Sequence, residues 1–271
     1  MDPDSPFIIR KPNDPFLSSI VESYFYLDTT VTQLSRQPEP IIPFPRITFG
    51  YFFGEPFTVT NHTINQSALV NIAISKISTQ QLSVQPSGET VKILGAHLRP
   101  YGLAYFTTQA INKLPWLIDT EELFGDVATN FVQRIHACQT TEQLFDEVET
   151  VFVDNLLTRD MELITEAIDL IEANAGNIKV ADLSKQLGTT NRTLRNHFND
   201  KIGCSPKEYL RIVRLKQVAY ELKHSPESLT HIAHGNEYFD QAHLNHEVKG
   251  ITGRSPKELK KEIPSFRFLQ F

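Results

Sequence analysis

The chain has 271 residues, 40% of them hydrophobic and 21% charged, with a formal net charge of −6. That length suggests two domains, each able to bury its own core. No run approaches the ~18 apolar residues of a membrane span, and the acidic start MDPDSPF lacks the apolar stretch of a secretory signal. Cys138 and Cys204 lie far apart without a partner motif and read as free thiols, so a cytoplasmic location is expected.

Up to Pro100 the chain is rich in β-formers and turn residues, as in RITFGYFFGEPFTVTNHTI and ETVKILGAHLRP. Leu94, Ala96 and Leu98 alternate with Ile93, Gly95, His97 and Arg99, the period of a half-buried strand. Ten prolines between Pro3 and Pro86 keep the strands short, which fits a β-barrel or sandwich. From Tyr101 onward the pattern becomes helical through DTEELFGDVATNFVQRIHAC and TTEQLFDEVETVFVDNLL. Asp119 to Glu122 places acids at a helix start, whereas 141–144 ends in Leu144 and makes no capping box. The predicted fold class is α+β, with a β-rich domain over 1–157 and an all-α domain over 160–264.

Two words of the sequence repeat: GCSPKEYLR begins at Gly203 and GRSPKELKK fifty residues later at Gly253. Leu194 and Phe198 match Leu244 and Val248 at the same offset, and Val180, Leu183 and Ser184 match Leu229, Ile232 and Ala233 at forty-nine. Each copy reads as a short helix, a tight turn and a second helix with its apolar residues four apart, the layout of a helix-turn-helix. Asn191 and Asp240 stand where N-caps of the second helices belong. Each Gly closes a helix in a left-handed cap, and Ser-Pro opens the next.

Charge is distributed unevenly. Residues 1–159 carry 10 Lys+Arg against 17 Asp+Glu, and residues 160–271 carry 16 against 15. Lys185 to Lys216 holds eight bases and two acids, a local +6, while 235–266 holds five of each. The first patch suits phosphates, so the first unit is expected to dominate nucleic-acid binding. A solvated helix face would carry the same charges.

Two helix-turn-helix units around a long helix from about Pro206 to His224 resemble the DNA-binding domain of AraC/XylS-type transcription regulators. The likeness rests on L-x-x-x-F with G-x-S-P-x-x-Y-L, the basic RIVRLKQ, and I-A…D-Q-A-H-L…G-x-S-P. The second unit departs from the family pattern at Glu237, Leu244, Val248 and His246, where Gly, Phe, Phe and Arg are usual. The first 157 residues, through LGAHLRPYGLAYFTT, are similar to N-terminal domains that often precede this module in bacteria, many of them cupin-like barrels. The resemblance implies a bacterial, sequence-specific regulator of transcription that binds double-stranded DNA and contacts RNA polymerase. A homodimer formed through the N-terminal domain and a small-molecule effector are implied as well.

In such a module the recognition helices, about 191–201 and 240–250, enter the major groove. With the apolar positions inward, Arg192, Arg195, Asn196 and Asn199 face outward in the first unit, and Arg and Asn suit guanine and adenine. The matching set in the second unit is Gln241, Ala242, Asn245 and His246, of which Gln241, Asn245 and His246 are the candidate base contacts. Lys185, Lys207, Arg211 and Arg214 read as phosphate contacts, or, for the two arginines, as ion pairs between the units.

Phe49, Tyr51 and Phe53 share one side of a strand and His97 and Arg99 a side of another, which makes them candidate walls of a ligand site. The plainer reading, which the residue types favour, is that the aromatics are barrel core and Arg99 makes a surface ion pair. The β region has His62 and His97 but no His-x-His pair, His243 and His246 lie on a recognition helix, and no nucleophile or phosphate-loop motif occurs. No metal, cofactor or catalysis is therefore expected. The competing reading is a cupin-like small-molecule-binding or catalytic protein whose helical module serves protein interaction. The tail from Ser265 to Phe271 carries four apolar residues and is expected to dock on the body.

Overall fold

The structure is a computed structural model that describes residues 7–30 and 38–262. The docking expected of 265–271 lies outside these residues.

Among the described residues, ten short strands build two antiparallel sheets. The larger runs in the order β1 (Phe7–Arg10), β2 (Val21–Thr30), β9 (Thr90–Leu98), β4 (Ile47–Phe52), β7 (Ile72–Ser75), β10 (Leu117–Ile118). The smaller runs β3 (Glu39–Ile41), β8 (Leu82–Pro86), β5 (Phe57–Asn61), β6 (Gln66–Val70). A four-residue helix, α1 (Leu17–Ile20), precedes β2.

The pleat of β4 explains the layering. Ile47, Phe49 and Tyr51 point to one side and Thr48, Gly50 and Phe52 to the other. The first set meets helices α2 (Thr120–Phe124), α3 (Asp126–Ala137) and α4 (Thr141–Asp154), with the Phe49 ring 5.9 Å from Phe131 and 5.7 Å from Phe152. The second set faces the smaller sheet. Strand β9 is buried on both faces for the same reason, rather than half-buried: helices cover one side and the second sheet the other. At Gly95 a Cβ would stand 2.3 Å from the Phe25 ring, so only glycine lets that ring cross the strand.

Helix begins later than its pattern suggests. Residues 101–118 form two short 3-10 turns and β10, and α2 starts at Thr120. The Thr107 hydroxyl accepts from Gln109 N–H at 3.1 Å, a local bond that competes with helix, and Pro115 lacks a donor altogether. Asp119 caps α2. The capping box that 141–144 lacks exists one residue earlier, with Thr140 as N-cap and Gln143 bonding back to it.

From Glu162 to Glu262 the elements are all helices: α5 (Glu162–Ala173), α6 (Val180–Gln186), α7 (Asn191–Lys201), α8 (Pro206–His224), α9 (Leu229–Gly235), α10 (Gln241–Thr252), α11 (Pro256–Glu262). The chain crosses into this region at 155–161, but the apolar core does not divide there. One cluster runs from Tyr24 and Phe145 through Ile168 to Leu194, Phe198 and Tyr209. A separate cluster joins Leu215, Val218 and Leu222 of α8 to Ile232, Leu244, Val248 and Leu259, with Ile42 of the N-terminal region. Thus α6–α7 share the N-terminal core, and α9–α10 have their own. No described helix is long and apolar enough to cross a membrane.

Candidate nucleic-acid interface and effector cavity

The two units are built alike at their joints. Gly203 and Gly253 both adopt positive φ, at 93° and 74°, and Ser205 opens α8 with a full capping box to Glu208. Ser255 repeats that contact, its N–H donating to Glu258 at 2.7 Å. Asp240 caps α10 as its position predicts, accepting from His243 N–H at 2.7 Å. In the first unit the N-cap is Thr190, which accepts from Thr193 N–H at 3.1 Å. Asn191 is the first helical residue instead, and its side-chain oxygen accepts from the Ser184 hydroxyl at 2.7 Å, tying α7 to α6.

On α7, Leu194 and Phe198 are fully buried and Arg192, Arg195 and Asn196 are exposed, with Asn199 half-buried. The four outward candidates thus lie on one side of a rigid helix. On α10 the corresponding set is less open. Gln241 accepts from the Thr230 hydroxyl at 3.0 Å, the Asn245 side-chain oxygen is buried, and His246 is exposed. Two further exposed side chains, Phe239 just ahead of the helix and His243 within it, join this face. Their signal in the sequence is weak, because Phe239 precedes the helical period.

The charge patch is smaller than the sequence count. Lys201 is buried and donates to the Asp160 carbonyl. Lys216 is half-buried over the Phe44 ring at 5.3 Å, and burial, with Arg46 nearby, lowers its pKa. Arg211 and Arg214 pair with Glu247 of α10 at 3.3 and 3.7 Å, which takes them from free phosphate ligands to a clamp between α8 and the second unit. Lys185, Arg192, Arg195 and Lys207 remain exposed. Folding consumes half of the eight bases, and it also neutralises Glu247 in the second unit.

The cavity of the N-terminal domain has other walls than the candidate ligand-site residues. Phe49 and Tyr51 face the helices, and Phe53 packs edge-on against Tyr51 at 4.7 Å, so none of the three lines the cavity between the sheets, and Phe49 borders only a much smaller one under the helices. Arg99 lies beyond the end of β9, its N–H bonded to Ile20 O at 2.7 Å. The pleat is the cause: the chosen side of β4 is the helix side. The cavity, about 210 Å³, opens between the sheets against the opposite residues Thr48, Gly50 and Phe52, with Phe25, His97 and Trp116. His97 alone of the five candidates lines it. Burial lowers the His97 pKa to about 4, and the ring is neutral, stacked 4.7 Å from Phe25 with Nδ1 3.3 Å from the Thr48 hydroxyl.

Two cations reach the cavity wall. Lys76 donates to the Leu114 carbonyl at 2.5 Å. Arg46 is buried and pairs with Glu22 at 2.6 Å and with Glu172 of α5 at 2.5 Å, and Glu172 also accepts from Tyr209 of α8 at 2.7 Å. Arg46 therefore touches both the cavity and α5 of the helical region, and through Glu172 it is linked to α8. Among the described residues, no three potential metal-ligating side chains converge.

This is a β-sandwich joined to a double helix-turn-helix domain. Comparison with known proteins specifies it further: residues 183–262 match the family model described as a helix-turn-helix domain. Among curated proteins the chain is similar to the HTH-type transcriptional activator RhaS of Escherichia fergusonii, 33% identical over 69 residues, 26% of this chain and 25% of that one. It is also similar to the lactose operon transcription activator of Staphylococcus xylosus, 34% identical over 80 residues, and to the Msm operon regulatory protein of Streptococcus mutans, 27% over 101. These matches cover 29% of the Staphylococcus chain and 36% of the Streptococcus one, so the chain spans about a quarter to a third of its curated relatives. Along most of its length the fold is that of ToxT from Vibrio cholerae, TM-score 0.52 at 13% identity, covering 88% of this chain and 98% of that one.

Proposed function

We propose that the protein is a transcription regulator that binds duplex DNA through α7 and α10. The observation that carries this reading is the doubled unit: two capped recognition helices, each with its apolar side buried and a polar side exposed. Helix α8 between them has 19 residues and so spans about 28 Å, comparable with one turn of B-DNA. Arg195 and Arg192 are the candidate readers of guanine, Asn196 and Asn199 of adenine. RNA polymerase contact, a cytoplasmic location and homodimer formation belong to the same reading. Selection of bound duplexes from a random pool tests it. Affinity for the selected site should fall steeply between about 50 and 200 mM salt. Absence of binding to any duplex at low salt overturns the reading.

The cavity supports an effector: a small, mainly apolar molecule with one acidic group. Its walls are aromatic and aliphatic, and Arg46 supplies a cation at the edge. ToxT has been solved with an unsaturated fatty acid and with a naphthalenyl butenoic acid, both apolar bodies bearing a carboxylate. A carboxylate that takes a share of Arg46 weakens its bond to Glu172 and so reaches the helical domain. Trp116, the one tryptophan of the chain, lines the cavity and reports occupancy by its fluorescence. Medium-chain fatty acids should quench or shift it and the matching alcohols should do so much less. Equal responses to acid and alcohol would remove Arg46 from the reading.

A further inference from the structure

Phe239 is 86% exposed, the most exposed of the large apolar side chains among the described residues. Its position is set by its neighbours. Glu237 adopts a left-handed φ of 55°, and the next residue, Tyr238, turns inward, where its hydroxyl donates to Glu247 at 3.1 Å and Arg214 lies over its ring at 5.5 Å. Phe239 must then point outward, and its N–H donates to His243 Nδ1 at 3.4 Å at the start of α10. The phenyl ring therefore stands directly ahead of the N-cap Asp240, at the end of the helix that leads into a groove.

Resting on the DNA-binding reading above, we propose that Phe239 reads a thymine, its ring packing on the C5-methyl group in the major groove. Three observations favour this use. The first basic residue of α10 is Lys249, near its far end, so the leading turns hold no arginine fork for guanine. Thymine is the base whose major-groove edge offers an apolar group, and Phe is among the side chains that meet it. The exposed residues next to Phe239 along the chain are Glu237, Asp240, Ala242 and His243, which form no apolar patch of the size that a protein partner needs.

The experiment replaces each thymine of the selected operator in turn by deoxyuridine, which lacks only the methyl group. Affinities are measured for the wild type and for Phe239→Ala, with circular dichroism to confirm that the variant is folded. At one thymine the wild type should lose about threefold to tenfold on replacement, the worth of one or two buried methyl-sized contacts. Phe239→Ala should bind the natural operator more weakly by a similar factor and be indifferent to deoxyuridine at that position. A wild type blind to every replacement overturns the inference while the DNA-binding reading stands. So does a Phe239→Ala variant with unchanged affinity, or one that still distinguishes thymine from deoxyuridine at every position. Failure of the wild type to bind any duplex overturns both together.

Discussion

The two helix-turn-helix units share a blueprint and differ in what they are attached to. The first buries Leu194, Phe198 and Ile202 in a core continuous with the β-sandwich and α4. The second closes its own core on the outer half of α8 and meets the N-terminal region at a few points, among them Ile42 and a 3.2 Å bond from Gln81 to the Gly250 carbonyl. Repetition in sequence thus fixes local geometry and leaves the unit's mechanical role open. On the effector reading proposed above, a core shared with the cavity-bearing domain would make the first unit the receiver of the signal, with Arg46 and Glu172 beside the cavity.

Paired substitutions at equivalent glycines break this comparison most directly. Both Gly203 and Gly253 need positive φ, which costs an L-residue about 1–2 kcal/mol. At Gly203 a Cβ would also stand 2.7 Å from Ile111 of the N-terminal domain, while at Gly253 the nearest atom is the flexible end of Gln81 at 3.1 Å. Gly203→Ala should destabilise by about 3 kcal/mol and Gly253→Ala by about 1–2, read from urea unfolding. Equal losses would mean that the first unit is no more tightly joined than the second.

Acid tests the sandwich side of the same junction. His97 is neutral in the fold, with a pKa near 4 against about 6.5 unfolded, and Glu22 and Arg46 are the charges nearest it. Above pH 6.5 both states are unprotonated and His97 contributes no pH dependence. Between pH 6.5 and 4 the unfolded chain takes up the proton first, so stability falls as pH falls, by at most about 3 kcal/mol. Thermal melts of His97→Gln should lack most of that acid limb. An unchanged limb would assign it to carboxylates instead.

At the proposed DNA face the units should differ in reading. Arg195→Ala is expected to cost about 1–3 kcal/mol on a selected operator and to relax the choice at one base pair. His246→Ala should cost less, because an imidazole lacks the two-donor fork that an arginine aims at guanine. Titrations of both variants at one salt concentration decide it. The smallest effect sharpens the comparison by erasing a difference. Counted in sequence, the first unit carries +6 and the second zero, yet the fold uses Lys201, Lys216, Arg211 and Arg214 internally. Removing Lys185 and Lys207 together, or Lys257 and Lys260 together, should therefore flatten the salt dependence by similar amounts, roughly two phosphates each at most.

Much of the molecule is decided by neighbours along the chain. The Gly-x-Ser-Pro joints, the Asp240 cap and the inward Leu194, Phe198, Leu244 and Val248 follow from φ preferences, short-range hydrogen bonds and a 3.6-residue period, and these make the double unit legible from residues alone. Tertiary structure decided what local rules do not reach. The side of β4 that faces a cavity depends on where the helices pack, so Phe49, Tyr51 and Phe53 became core and Thr48, Gly50 and Phe52 became wall. Which bases stay free for phosphates depends on carboxylates and carbonyls as far as 41 residues away, as Lys201 and Asp160 show. Periodicity marks a face as apolar or polar; the partner that face meets is set by long-range packing, which no local pattern encodes.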